Sequence, residues 1–349
     1  MNGYEALAPL SLEITDSHLR RRELDTTSGF TRVTTEIVLE GPTHVGRGED
    51  VTYEASHHDA LASTGLPPLE GAYDFGTFAE IVGELDAFPG DEPERPVFRN
   101  YRRWGFESAA LDLALRQANE TLASALDGSY EPVRFLVSTG LGSPPALDRL
   151  YELQDRTADV EFKLDATDEW DQALLAELRS LDAVRIVDLK GQYEGTDVDG
   201  STDPDLYRRV LDDLPDVIVE DPALTPSTEP VLDGAWHRLS WDAPVHHVDD
   251  LEQLPDTGWL NVKPSRFGSV RSLLAAFEYC ERSGVDWYVG GQFELGPGRS
   301  QLHALASLFC PDAPNDVAPA GYNDPAHGAS LPDSPLTVPE DPSGFDWPQ

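Results

Sequence analysis

The chain contains only three lysines, and each lies in a short apolar segment rich in β-branched residues. Lys163 lies in VEFKLDA, Lys190 in VRIVDLKG and Lys263 in WLNVKPSR, whereas the other 22 basic residues are arginines. Arginine keeps its charge, but a desolvated lysine can shift its pKa and act as a base. The three lysines are therefore predicted to serve proton-transfer chemistry.

Three acidic residues stand at the ends of successive apolar segments, and they are candidates for binding a metal ion. They are Asp188, Glu220 and Asp242. Carboxylate oxygens are hard ligands, and Mg2+ prefers a few of them together with positions left open for water or substrate. We therefore predict a Mg2+ site formed by these three residues. The alternative for any one of them alone is a salt-bridged carboxylate in an acidic chain.

Lysines beside a bound Mg2+ suit the removal of a proton next to a carboxylate. The metal would hold a small carboxylate substrate and stabilise the enediolate as charge develops. A lysine would take the proton, and Lys263, Lys163 and Lys190 are the candidates. The alternatives are an ion pair between Lys263 and Asp242, and simple neutralisation of the acidic residues by Lys163 and Lys190.

The order of predicted elements places these residues at one end of a barrel. From about residue 132, short apolar strands alternate with helical patterns, and about eight such units predict an α/β fold with a closed (β/α)8 TIM-type barrel. Residues 1–130 are predicted as an N-terminal α+β capping domain, residues 131–319 as the barrel, and 320–349 as a tail packed back on the surface. In such barrels the active site lies at the carboxyl ends of the strands.

Further polar residues at the predicted strand ends are candidates for substrate binding. Asp165 lies two residues after Lys163 and shares its strand face, so it is interpreted as a partner of that lysine rather than a base. Gln292 and Glu294 stand at the end of the seventh strand. Arg266, shortly after the sixth strand, either binds a substrate carboxylate or faces solvent.

Three other features carry open alternatives. The turn ELGPGRS either holds an anion on backbone N–H groups with help from Arg299 or is an ordinary loop. His57 and His58 are predicted as a solvated pair in a capping-domain loop, with a reach over the barrel mouth as the alternative. Asp221 follows Glu220 directly, so its side chain is expected on the opposite face in a structural role.

The composition excludes some classes of partner. The formal net charge is −39, and the acidic residues are spread along the whole chain. Together with the scarcity of lysine, this favours a halophilic protein, because salt at about 1 M screens charges beyond about 3 Å. An acidic mesophilic enzyme is the alternative. Nucleic acid and anionic membranes are disfavoured as partners. The two cysteines and the lack of a long apolar run predict a cytoplasmic protein.

The chain resembles the enolase superfamily, most closely its muconate-cycloisomerase, o-succinylbenzoate-synthase and mandelate-racemase-like branches. The resemblance rests on the three acidic residues with their spacings of 32 and 22, VEDP at 219–222, KP at 263–264 and GRGED at 46–50. It implies a barrel with a capping domain that contributes GRGED as a loop. It also implies Mg2+ bound by Asp188, Glu220 and Asp242, with Lys263 as an acid/base. Barrels of this kind often form homo-oligomers.

Three departures from the family pattern bear on the reaction. Where the family often has Lys-x-Lys on the second strand, this chain has Lys163-Leu164-Asp165. Where the family often has Asp-x-Asn on the third strand, this chain has Asp188-Leu189-Lys190, so Lys190 is a hypothetical replacement for the missing lysine. No histidine ends the seventh strand, which favours a dehydratase or other lyase. The rivals are a racemase, epimerase or cycloisomerase, a non-catalytic metal-binding barrel, and a metal-assisted hydrolase.

Overall fold

The amino-terminal part is built on antiparallel strands against which one long helix packs. The computed structural model describes residues 3–90, 92–193, 199–255, 257–324 and 331–347. The strands of this part are β1 (Ser11–Ile14), β2 (Asp16–Asp25), β3 (Thr31–Glu40), β4 (Val45–Asp50) and β5 (Gly71–Asp74). The helices are α1 (Gly3–Leu7), α2 (Ala55–Thr64), α3 (Phe75–Glu84), α4 (Val97–Ala118) and α5 (Leu122–Ala125). Strands β2, β3 and β4 form one sheet, and β1 pairs with β5.

The segment 46–50, expected to lie in a loop, instead forms most of strand β4 and packs directly against α4. Two glycines allow this close approach. A Cβ atom on Gly48 would lie 2.1 Å from the carbonyl oxygen of Gly105, and one on Gly46 would lie 2.3 Å from that of Ala109. The loop prediction is wrong because glycine in a strand also marks a place where another backbone comes close.

Seven parallel strands form the second part, and they lie side by side in chain order. They are β6 (Leu136–Thr139), β7 (Glu161–Asp165), β8 (Val184–Asp188), β9 (Ile218–Glu220), β10 (Leu239–Trp241), β11 (Trp259–Val262) and β12 (Asp286–Val289). The helices of this part are α6 (Asp148–Arg156), α7 (Gln172–Leu181), α8 (Pro204–Asp213), α9 (Glu229–Leu232), α10 (Val248–Leu251), α11 (Pro264–Phe267), α12 (Val270–Ser283) and α13 (Pro297–Phe309). Short 3-10 turns occupy Trp236–Arg238 and Ala320–Tyr322.

The sheet is not the closed eight-stranded barrel that was predicted. Where an eighth strand was expected, Asn315 makes an isolated parallel bridge to Phe135 and Asp316 makes one to Gly290. These two residues therefore join the edges next to β6 and β12 without forming a strand. Pro314 and Pro319 flank the segment. Proline has no N–H to donate to a ladder, and this keeps the pairing short.

Alternation along the strands separates the apolar exterior of the sheet from a polar interior. Phe162 and Leu164 of β7 belong to the large apolar core, whereas Lys163 between them points to the other face and reaches Glu220 of β9. A separate small apolar cluster fills the interior below the charged residues, and it consists of Leu136, Ile186, Ile218 and Tyr288. The charged side chains at the strand ends thus pack against this apolar cluster inside the sheet.

The described part of the tail lies against both parts of the chain. Leu336 bridges Val133, Gly344 bridges Thr121, and the side chain of Trp347 is buried. Among the described residues, no helix combines the length and the apolar character that crossing a membrane requires.

Replacing Gly48 with alanine should destabilise the protein. The added methyl group would overlap the α4 backbone near Gly105, and overpacking of this kind costs about 1–3 kcal/mol. Chemical denaturation should therefore show a lower unfolding midpoint for Gly48→Ala. Gly140→Ala is the matched control, because nothing lies within 4 Å of the point that its added methyl group would occupy, and its effect should be small. Equal stability of the two variants would contradict the packing described.

Candidate active site at the strand ends

Three acidic residues form a row across neighbouring strands. Asp165 ends β7, Asp188 ends β8 and Glu220 ends β9, and the strand register pairs Asp165 with Asp188 and Asp188 with Glu220. Asp188 and Glu220 are fully buried. Asp242, which follows β10 directly, is 1% exposed. All three therefore lie at the same end of the sheet, but the oxygens of Asp188 and Glu220 cluster with those of Asp221 rather than with those of Asp242.

Asp221 lies closer to this row than the sequence suggested. Oxygens of Asp188, Glu220 and Asp221 all lie within 4.8 Å of one another. Asp221 has a left-handed backbone, with φ of +46°, so the strand alternation that predicted an opposite orientation ends at Glu220. Its two oxygens also accept the amide protons of Asp242 (2.8 Å) and Ala243 (2.9 Å), which supports the predicted structural role.

Lys163 contacts three carboxylates from the interior face of β7. Its Nζ lies 2.5 Å from Oε1 of Glu220, 3.1 Å from Oδ2 of Asp316 and 3.7 Å from Oδ2 of Asp188. Burial lowers the pKa of this lysine, but the three carboxylates outweigh burial and raise it well above its usual value. With these partners Lys163 is a proton donor or a fixed cation rather than a base.

Lys190 reaches the same group of carboxylates from the neighbouring strand. Its Nζ lies 2.5 Å from Oδ2 of Asp188 and 3.2 Å from Oδ1 of Asp165. Burial lowers the pKa of Lys190, but Asp165 and Asp188 raise it overall. The side chain is 22% exposed, against 2% for Lys163, so Lys190 is the more accessible of the two ammonium groups. Asp165 thus pairs with Lys190, and not with Lys163, which was the partner expected from the sequence.

Asp242 is held by two cations and a phenol. Lys263 donates to its Oδ2 at 2.8 Å, Tyr193 donates to the same oxygen at 2.9 Å, and Nε of Arg266 lies 2.9 Å from Oδ1. Burial raises the pKa of Asp242, but Arg266 and Lys263 hold it well below its usual range. Arg266 is itself buried in this pair, so it neither faces solvent nor presents a free guanidinium for a substrate.

Glu220 has neutral as well as charged partners. Tyr288 donates to its Oε2, and the side-chain amide of Asn261 lies 3.2 Å from the same oxygen. Burial, together with Asp188 and Asp242, outweighs Lys163 and raises the pKa of Glu220 to about 7. Sequence reasoning missed Tyr288, Asn261 and Asp316, although the period-2 alternation of β11 and β12 does place the first two on the interior face.

The acidic residues of this group outnumber the basic ones by two. The carboxylates are Asp165, Asp188, Glu220, Asp221, Asp242 and Asp316. The cations are Lys163, Lys190, Lys263 and Arg266. If all six carboxyl groups are ionised, six negative charges against four positive ones leave an excess of two, which a divalent cation would neutralise. Burial and the neighbouring carboxylates raise the pKa of Asp221 well above its usual value, as they raise that of Glu220, so a bound cation would favour the ionised form of both groups. The donors are hard carboxylate oxygens, so the residues fit Mg2+ or a similar ion.

Gln292 and Glu294 meet the capping domain more than the strand ends. The side chain of Gln292 accepts a hydrogen bond from Tyr53 at 2.8 Å and donates one to Tyr101 at 3.1 Å. Glu294 pairs with Arg299 at 3.1 Å and accepts the amide proton of Gln292 at 2.7 Å. Both side chains are buried. They therefore shape the loop after β12 rather than offering free groups to a substrate.

The turn before α13 does hold an anion, and the anion is a side chain of the protein itself. The carboxylate of Glu49 accepts amide protons from Leu295 (2.7 Å), Gly296 (2.9 Å) and Gly298 (2.9 Å). Thr34 donates to the same carboxylate at 2.6 Å. Arg299, expected to assist, pairs with Glu294 instead. Strand β4 is thereby latched to the beginning of α13.

The two histidines are buried in helix α2 and not solvated in a loop. His58 bonds the hydroxyl of Thr35 and the carbonyl of Thr52, both at 2.8 Å. Burial lowers the pKa of His58, despite the nearby carboxylate of Asp50. His57 packs edge-on against Phe88. The loop prediction failed because the pair has few apolar neighbours in sequence, although its neighbours in space bury it.

Comparison with known proteins agrees with the fold and with the resemblance drawn from the sequence. A member of the enolase superfamily from Listeria innocua Clip11262 superposes with a TM-score of 0.70 at 18% identity, covering 96% of this chain and 94% of that one. The o-succinylbenzoate synthase of Bacillus subtilis (strain 168) is 27% identical over 251 residues, covering 68% of this chain. The N-succinylamino acid racemase of Amycolatopsis sp is 26% identical over 300 residues, covering 79% of this chain and 76% of that enzyme.

The fold is thus that of the enolase superfamily, and the chain resembles its members in sequence as well. The match to the Bacillus synthase spans 65% of that enzyme, which is just under two thirds of its length. The chain belongs to the family described as Domain of unknown function (DUF8230). The C-terminal domain of that family matches residues 129–324, and the N-terminal domain matches residues 5–125.

Replacing Asp50 with asparagine should destabilise the protein in a pH-dependent way. Asp50 pairs with the buried Arg102 at 2.7 Å. Burial raises the pKa of Asp50, but Arg102 and His58 bring it down to about 2. Since the unfolded value is about 3.9, the ion pair stabilises fully above pH 4 and is lost as the pH falls towards 2.

The expected penalty for Asp50→Asn is about 3 kcal/mol at pH 7, because Arg102 loses its charged partner. Urea unfolding at pH 7 and at pH 3 measures it, and the difference from the unmodified protein should shrink at the lower pH. A penalty that is the same at both values would contradict the ion pair. Asp59→Asn is a control, because Asp59 pairs with Arg21 on the surface.

Proposed function

We propose that this protein is a Mg2+-dependent enzyme that removes the α-proton of a small carboxylate substrate through an enediolate. The net reaction is elimination, most simply of water. One observation carries the proposal: among the described residues, six carboxyl groups and four cations lie together at the strand ends, with lysines reaching them from separate strands. A divalent cation balances such a site, and a lysine on each side can donate or accept a proton.

Asp188, Glu220 and Asp242 would hold the cation. Asp221 is near enough to Asp188 and Glu220 to take part or to hold the end of β10 in place. The bound cation would supply positive charge for the substrate carboxylate and for the enediolate. Without a cation, Glu220 accepts a hydrogen bond from Lys163 and Asp188 accepts one from Lys190. Binding of a cation to these carboxylates would therefore weaken the ion pairs of both lysines.

The three lysines would then differ in role. Lys163 would lose the neutralising effect of Glu220 and Asp188, which would lower its raised pKa, while Asp316, the strongest of its three carboxylate neighbours, would remain. Lys263, which follows β11 four strands away from β7, pairs with Asp242 and would exchange the proton on the other side of the substrate. Lys190, the more exposed of the two lysines at β7 and β8, would occupy the place of the second lysine that Lys-x-Lys provides elsewhere.

Of the four predicted substrate contacts, Asp165 is the best placed. Its side chain is 43% exposed and pairs with Lys190 at 3.2 Å. Arg266, Gln292 and Glu294 are buried and already bonded within the protein. We therefore propose that Asp165 and Lys190 contact the substrate, while the other three residues position the groups around it.

An isomerase is the second candidate, and a specific observation favours it. Lysines on two sides of one carboxylate group suit removal of a proton from one face and its return to the other. The curated relatives include both an o-succinylbenzoate synthase and an N-succinylamino acid racemase. N-succinyl amino acids therefore belong in the substrate panel, together with acid sugars, hydroxy acids and dipeptides. Loss of water identifies a lyase, and inverted configuration without loss of atoms identifies an isomerase.

Exchange of the substrate α-proton tests the proposed chemistry. In D2O with Mg2+, the unmodified protein should wash deuterium into the α-position of at least one member of the panel, as followed by NMR. Lys263→Arg should lower this exchange by about 100-fold or more, because arginine keeps the charge beside Asp242 but does not carry the proton.

The matched variant Lys263→Ala removes the positive charge as well as the proton carrier, whereas Lys263→Arg removes only the proton carrier. Lys263→Ala should also lose exchange of the α-proton. Glu169 is exposed on the surface, so Glu169→Gln should keep the exchange. Absence of exchange with every substrate would leave a non-catalytic binding barrel. Ester or amide cleavage that persists in Lys263→Arg would instead indicate a metal-assisted hydrolase.

Binding of Mg2+ can be measured without any substrate. Titration calorimetry should show one saturable site, and thermal unfolding should shift upward when Mg2+ is added. Glu220→Gln should weaken binding by at least about tenfold, because it removes a buried negative charge from the site. Glu169→Gln changes the same charge on the surface and should leave the affinity unchanged. Equal weakening by both variants would show only an effect of net charge.

A further inference from the structure

We infer that a second polar cavity, outside the strand ends, is a binding site for a phosphate group. The cavity has a volume of about 320 Å³, which is room for about ten water molecules. It lies where strands β2, β3 and β4, helix α4, the start of α13 and the tail meet. Its lining residues are Arg20, Arg22, Glu36, Arg47, Asp112, Arg116, Pro297, Gln301, Phe345 and Asp346.

The charge of this cavity is opposite to that of the chain. Four arginines face three carboxylates in the lining, whereas the whole chain carries a formal net charge of −39. A concave surface with an excess of one charge sign concentrates ions of the other sign. The cavity therefore favours the binding of anions, although the net charge of the whole chain is strongly negative.

Three of the arginines are fixed by the carboxylates of the lining. Arg22 and Arg47 lie 2.6 Å and 3.2 Å from the buried Glu36. Arg116 lies 2.8 Å from Asp112, and its Nη2 lies 3.5 Å from Asp346. These pairs hold the guanidinium groups in defined positions before any ligand arrives. A preorganised site of this kind loses less entropy when it binds.

Arg20 supplies the unpaired positive charge. Within the described part of the chain, no carboxylate or hydrogen-bond partner contacts its guanidinium, although it lines the cavity. Arg20 and Arg22 are two residues apart on β2 and so share a face. Arg21, on the other face, pairs with Asp59 at 2.6 Å. A planar guanidinium with free N–H groups suits an oxyanion, which it can bind through two parallel hydrogen bonds.

A buried acceptor favours phosphate among the oxyanions. Among the described residues, no hydrogen-bond partner reaches the buried Oε1 of Gln301, while the Nε2 of the same side chain donates to the carbonyl of Arg47 at 2.7 Å. Inorganic phosphate keeps at least one hydroxyl group near neutral pH, and phosphate monoesters carry one in part of their population, so either can donate to such an acceptor. Sulfate lacks this hydroxyl group. A ligand there would bridge β2, β4, α4 and α13, and so would stabilise the junction of the two parts.

Titration calorimetry of the full chain with inorganic phosphate tests the inference. At fixed ionic strength maintained with KCl, we expect one saturable site and a higher thermal unfolding temperature. Arg20→Gln should weaken binding by at least about tenfold, whereas Arg21→Gln, the matched variant on the opposite face, should bind as the unmodified protein does. Because Arg20 is exposed and has no ion-pair partner in the ranges that the structure describes, circular dichroism of Arg20→Gln should be unchanged.

Three further arms make the result decisive. Lys263→Ala should bind phosphate normally, and dependence on Lys263 rather than Arg20 would overturn the inference by placing the ion at the strand ends. Sulfate should bind at least about threefold more weakly, and equal affinity would overturn the assignment to phosphate. Glycerol phosphate in place of inorganic phosphate distinguishes an ester from the free ion, and tighter binding of either supports the site. Absence of saturable binding by both would overturn it. None of these outcomes depends on the proposed enzymatic activity.

Discussion

Neutralisation of buried carboxylates at the strand ends is the constraint on which the rest of the structure depends. Asp188, Glu220 and Asp242 are almost completely removed from water, and a buried charge is costly unless it is paired. The chain therefore brings a cation to each of them: Lys163 to Glu220, Lys190 to Asp188 and Lys263 to Asp242. This requirement accounts for the position of the three lysines, each of which lies in a strand of the sheet or within two residues of a strand end.

The strand register determines which charges meet. Asp165, Asp188 and Glu220 are paired across three neighbouring strands, so their carboxylates stand at one level. Where the family pattern has lysine at position 165 and asparagine at position 190, this chain has aspartate and lysine, and Lys190 contacts Asp165 directly. The two departures from the family pattern are thus coupled through one ion pair. This ion pair is what the proposed replacement of the strand-two lysine by Lys190 rests on.

Local patterns in the sequence predicted the order of the strands and the residues at their ends, because short apolar runs and period-2 alternation are local properties. Contacts that depend on distant segments were not predictable in this way. Glu49 lies 246 to 249 residues before the amides that it bonds. The orientation of Asp221 was not predicted, because its own left-handed backbone interrupts the strand alternation. The described residues form no eighth strand because Pro314 and Pro319 flank the segment where it was expected. The prediction of an eighth strand followed the repeated strand–helix pattern and did not take these prolines into account.

The latch made by Glu49 has a consequence for modular engineering of this protein. Its carboxylate satisfies backbone amides at Leu295, Gly296 and Gly298, which belong to the other part of the chain. A barrel excised from its cap would present these donors to solvent, and a foreign cap without an acid at this position would leave them unsatisfied and buried. The two parts are therefore matched components, and a functional chimera must inherit strand β4 and the turn before α13 from the same parent.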